Sequence, residues 1–219
     1  MFESMTNAFR LPDLRRRLLF TLWILAIFRL AAHVPVPGLD RAALQSIFQS
    51  DTAAGAVRRW INLLTGGALE NFSVVAMGVY PYITASIILQ VVTPLFPALE
   101  ELQKEGEEGR KKINQYTRYG TVALAAIQGL GIAIFLQNLN AQGVAVVPNP
   151  GPGFLFLTIV TLTSGTIFVM WLGEQITERG IGNGISLIIF AGIVVGLPTA
   201  VWQSFRQIQR GQMSLFTAL

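Results

Sequence analysis

The sequence predicts an all-α membrane protein, a polytopic helical bundle of five spans. Three observations lead there. Only 13% of the 219 residues are charged and 52% are hydrophobic, whereas a soluble domain carries about a quarter charged residues. The apolar residues collect into stretches near the roughly 20 residues that cross a hydrocarbon core. Lysines and arginines fall between those stretches, which suits membrane topology and anionic lipid headgroups better than nucleic acid. Mean hydropathy is +0.53 and net charge is +4. The absence of cysteine excludes disulfides and thiolate metal sites.

Residues 1–17 form a basic tail, followed by span one at 18–34. It lacks a small-residue cleavage site and runs into His33-Val34-Pro35-Val36-Pro37-Gly38, so it reads as a retained span. Residues 35–73 are a long loop and 74–96 the second span, which contains no charged residue. A charged loop, 97–116, leads to span three at 117–137. The uncharged Pro/Gly/Asn-rich stretch 138–153 is a turn region. Span four occupies 154–173, a Gly-rich turn 174–183, and span five 184–203. In 204–219 the residues from Ser214 to Leu219 turn apolar again, which reads as the start of a truncated sixth span.

Cation placement sets the orientation. Arg10, Arg15, Arg16, Arg17, Lys104, Arg110, Lys111, Lys112, Arg118 and Arg179 share one side, while Arg41, Arg58, Arg59, Arg206 and Arg210 lie on the other. The positive-inside rule then places the amino terminus in the cytoplasm. Arg29 lies within span one, where it either snorkels to the interface or faces carbonyls or a cavity.

Span two is interrupted. Tyr80-Pro81-Tyr82 lies inside it, Pro94 and Pro97 close it, and Gly66-Gly67 precede it. Residues 61–72 are expected to form a separate short helix, lying on the surface or folding back where protein or water shelters its backbone. Ile83 and Ile87, four apart, share a helix face, as do Ile189 and Ile193. Such pairs either pack ordinarily or line a narrow apolar collar. Gln90 and Gln128 need partners in lipid. Gly129, Gly131, Gly165, Gly192 and Gly196 permit close helix packing. Gly180, Gly182 and Gly184 fail the dinucleotide-binding spacing and suit a tight helix-to-helix turn. His33, the single histidine, has no cysteine or carboxylate cluster in its sequence neighbourhood, and no catalytic constellation or cofactor motif emerges.

Several segments together resemble one family. They are the run from Ser73 through Gly78-Val79-Tyr80-Pro81-Tyr82 to Gln90; Trp171-Leu172-Gly173-Glu174 through Gly184-Ile185-Ser186; Lys104-Glu105-Gly106 with Gly109-Arg110-Lys111-Lys112 and Gln115-Tyr116-Thr117-Arg118; and Phe28-Arg29 with Pro35-Val36-Pro37-Gly38. These are similar to the signatures of SecY, central subunit of the bacterial protein-conducting channel. The resemblance covers nearly the whole chain. Ala31 departs from the glycine often found there.

The resemblance implies that five spans form one half of an inverted-repeat ten-span channel in the bacterial plasma (inner) membrane. That channel passes unfolded secretory polypeptides across and hydrophobic segments sideways into the bilayer. It implies a pore ring of Ile83, Ile87, Ile189 and Ile193. It implies a plug at Leu63, Leu64, Thr65, Gly66, Gly67, Ala68 and Leu69, and a lateral-gate wall formed by spans two and three. Lys104, Arg110, Lys111 and Lys112 would belong to a cytoplasmic partner loop. Implied partners are SecE, SecG, SecA, the ribosome, signal sequences and nascent chains, with no nucleotide bound directly. An inverted-repeat transporter of small solutes is the alternative, although it requires polar groups converging at the helix break. A membrane-embedded enzyme finds no motif.

Overall fold

The computed structural model describes residues 12–40, 72–138, 140–141 and 144–209. Helix α1 spans Pro12–Ala31. Pro12 opens it, where the missing N–H leaves no bond unmade, and Asp13 complements the positive end of the helix dipole. Thr21, Ile24 and Phe28 form its buried stripe. The chain leaves helical geometry before Pro35, which disfavours helix at Val34.

Residues 72–79 are a buried run of turns. They pair with the chain leaving α1: Val36 N donates to Phe72 O at 3.0 Å, Val74 N donates to Val34 O at 2.8 Å, and Pro35 bridges Ser73. Helix α2 follows at Tyr80–Val92, extended by a 3₁₀ turn at Thr93–Leu95. Pro81 thus lies in the first turn of α2 and is not an interior kink. Within the expected span 74–96, helix begins only at Tyr80.

The charged stretch expected as a loop is largely helical. Helix α3, Pro97–Lys104, turns at Glu105-Gly106 into helix α4, Glu107–Gln137, which starts well before residue 117. Gly106 has a φ of 78°, the left-handed geometry that makes this reversal cheap for glycine. After α4 come two short paired strands, β1 (Asn140–Ala141) and β2 (Val144–Ala145), antiparallel with Asn140 opposite Ala145. Helix α5 is Pro152–Arg179 and helix α6 is Gly184–Gln209.

Among the described residues, α4 and α5 are long and apolar enough to cross a membrane by themselves. At ~1.5 Å per residue they reach about 46 and 42 Å. The α2 unit and α3 form a bent pair at 103°, and the apolar part of α6 is Gly184–Gly196. Helix α5 is the hub, packing against α1, α2, α4 and α6. It contributes to both hydrophobic clusters, through Phe154 and Leu162 in one and Val169, Leu172 and Ile176 in the other. At Gly165 a Cβ would overlap the carbonyl of Val74, so glycine alone lets the 72–79 run press against α5.

Candidate functional site

The isoleucine pairs sit on the two helices that flank α5. Ile83 and Ile189 are half-buried and both pack against the cluster of Val75, Val79, Val169, Leu172 and Ile188. Ile193, one turn beyond Ile189, is also half-buried. Ile87, one turn beyond Ile83, is 55% exposed. One member of each pair therefore enters a shared cluster, while Ile87 projects from it with Ile88 and Val91 on exposed surface. Such a surface is apolar, and stiff β-branched side chains on it disfavour water and ions.

The polar groups around these isoleucines are largely satisfied by their own helix. Thr84 Oγ1 donates to Tyr80 O at 3.0 Å, and Thr93 Oγ1 donates to Leu89 O at 2.6 Å. Gln90 Nε2 donates to Ser86 Oγ at 3.2 Å, which answers the need for a partner that its position raises. Gln128 is half-buried on α4.

The Gly-rich segment after α5 folds as a clamped helical hairpin. Helix continues through Glu174 to Arg179, and the turn occupies only residues 180–183. Gly184 N donates to Thr177 Oγ1 at 2.9 Å, and Thr177 Oγ1 donates to Gly173 O at 2.9 Å. Ser186 N donates to Asn183 Oδ1 at 3.1 Å, an N-cap for α6. Gly184 abuts the carbonyl of Gly173 where a Cβ has no room. Ile181 N donates to Thr21 Oγ1 at 3.3 Å, joining this turn to α1. Gly180 and Gly184 therefore set the tight turn by backbone proximity and Gly182 by its left-handed φ of 71°, assisted by two hydroxyls.

Lys104 pairs with Glu100 at 2.6 Å and Lys112 with Glu105 at 3.5 Å, both on the exposed α3–α4 hairpin, where Arg110 and Lys111 are also exposed. Residues 63–69, expected to form the plug, lie outside the described residues. Sequence reasoning missed the ion pair of Arg118 with Glu174, with Nε 2.7 Å from Oε1. The two are 56 positions apart, and only the antiparallel packing of α4 on α5 brings them together.

Comparison with known proteins agrees with this architecture. The SecY family model matches residues 73–219. Protein translocase subunit SecY of Escherichia coli K12 is 49% identical over 210 residues, covering 95% of this chain and 46% of that protein. The subunit of the same name from Aquifex aeolicus is 42% identical over 221 residues, covering 100% of this chain and 51% of its own length. The chain thus spans about half the length of these relatives. Two solved structures, Sec61 in the canine ribosome-channel complex from the endoplasmic reticulum and a protein-conducting channel, each superpose with a TM-score of 0.60 at 17% identity. Each match covers 93% of this chain and 43% of the other. The fold is that of a polytopic helical membrane protein, and the chain belongs to the SecY family.

Proposed function

We propose that this chain is the amino-terminal half of the channel-forming subunit of a protein translocase. It would pass unfolded secretory polypeptides across the bacterial plasma membrane and release hydrophobic segments sideways into lipid. Helices α1, α2 with its 3₁₀ extension, α4, α5 and α6 would supply the five spans, with the amino terminus in the cytoplasm and the α3–α4 hairpin and the α5–α6 turn on the same side. The observation that carries this reading is the placement of the isoleucine pairs on α2 and α6, with Ile83 and Ile189 entering one cluster beside α5. In the complete protein, Ile83, Ile87, Ile189 and Ile193 would form half of an apolar collar wide enough for an extended chain and dry when empty. Residues 63–69 would plug the external side. SecA or the ribosome would drive transport from the cytoplasm, and SecE and SecG would be the membrane partners. The chain belongs to a channel family, and in this reading it passes polypeptide without chemistry of its own.

A small-solute transporter is less well supported. Thr84, Ser86 and Gln90 along α2 engage their own helix and do not converge on a solute site. The test is to replace Ile83, Ile87, Ile189 and Ile193 by serine in the full-length channel with its partner subunits. Ion leak in planar bilayers should rise severalfold. Conductance equal to the parent's would remove the collar assignment.

A further inference from the structure

Helices α2 and α6 are positioned chiefly through the α4–α5 pair, since α2 packs mainly on α4 and α6 mainly on α5. The buried side of α4 is built mostly of small residues, with Leu136 its one large apolar side chain, and at Gly129 it meets Ile159 and Leu162 of α5. Its buried residues include Thr117, Thr121, Ala125, Gly129 and Ala133, each four positions after the last. Small residues permit close approach but offer few knobs to resist sliding along the axis. A polar contact stands at each end of this stripe. Gln137 Nε2 donates to Gly151 O at 3.0 Å at one end, and Arg118 Nε donates to Glu174 Oε1 at 2.7 Å at the other.

We propose that Arg118 and Glu174 are positioning residues that set the axial register of α4 on α5, and through it the spacing of the two isoleucine-bearing helices. The collar part rests on the function proposed above. Three features give the pair leverage. Glu174 follows Gly173, whose carbonyl abuts Gly184 of α6. Tyr82 of α2, next to Ile83, is half-buried on the helix that packs on both α4 and α5. Ile185 of α6 packs against Gly173, one turn before Ile189. The ion pair therefore stands where α2, α4, α5 and α6 meet. The two side chains are 49% and 24% exposed, so the pair biases the register and does not lock it. An exposed pair of this kind shifts an equilibrium by about two- to fivefold.

These 219 residues contain no cysteine, so, with any cysteine elsewhere in the full-length channel replaced, the register can be read by crosslinking. A Cβ on Gly129 would lie 3.8 Å from the Leu162 Cβ, within disulfide range. Gly129→Cys with Leu162→Cys is introduced into the full-length channel in membranes, in the parent background and with Arg118→Glu, Glu174→Arg, both charge reversals together, or the milder Glu174→Gln. The single changes should slow oxidative crosslinking about two- to fivefold and raise ion leak, and the double reversal should restore both. Crosslinking in the single and Glu174→Gln variants at the parental rate overturns the proposal. Slowed crosslinking with parental leak overturns the coupling of register to isoleucine spacing while the register role stands, and the collar reading is decided by the serine replacements above.

Discussion

Replacing Gly165 by alanine tests whether the 72–79 run is seated by contact with α5. An added Cβ overlaps the carbonyl carbon and oxygen of Val74 and crowds Val74 Cγ1. The carbonyl cannot simply swing away, because Val74 N is bonded to Val34 O and the neighbouring Phe72 O accepts from Val36 N. Overpacking of this kind costs about 1–3 kcal/mol, while alanine in a helix interior gains about 1 kcal/mol over glycine. Gly131→Ala on α4 supplies the reference, since a Cβ there meets nothing within 4 Å. Both variants receive the same helix gain, so their difference isolates the overlap. The full-length channel in detergent, followed by thermal loss of monodisperse protein, should place Gly165→Ala below Gly131→Ala by roughly 2–4 °C per kcal/mol, if it scales like a 150–250-residue unfolding unit. Equal midpoints for the two would refute the seating of Val74 against α5.

Two further substitutions probe the turn between α5 and α6. Thr21→Val removes the acceptor for Ile181 N; it should cost about 1–3 kcal/mol and speed hydrogen exchange at the Ile181 amide, with Thr21→Ser keeping the protection. Asn183→Ala removes the cap on Ser186 N and should cost about 0.5–2 kcal/mol, read as faster exchange confined to the first turn of α6, whereas Asn183→Asp should preserve it.

Hydropathy was enough to locate the helical segments, because burying backbone in lipid demands long apolar helices. It was less informative where helix and polarity part company. Pro81 reads equally as a kink or as a first-turn residue, and only the turns at 72–79 decide between them. The residues from Glu100 to Lys112 read as a solvated loop by charge density, yet Glu100 and Lys104 are spaced one turn apart and pair on a helix. The isoleucine pairs were legible as faces, but the contrast between half-buried Ile83 and exposed Ile87 depends on how α2 packs against α4 and α5. The Arg118–Glu174 contact had no local signature, since nothing within 56 positions links the two residues except the fold itself.

The rung between Pro35 and Ser73 has a consequence for evolution. The chain leaves and re-enters the helical body through neighbouring backbone bonds at Val34, Val36, Phe72 and Val74. The ends of the intervening stretch are thereby fixed by the body, whatever its length. Family members that differ in length between residues 40 and 72 should therefore keep the backbone bonds at Val34, Val36, Phe72 and Val74 and the seating of α1 beside the 72–79 run.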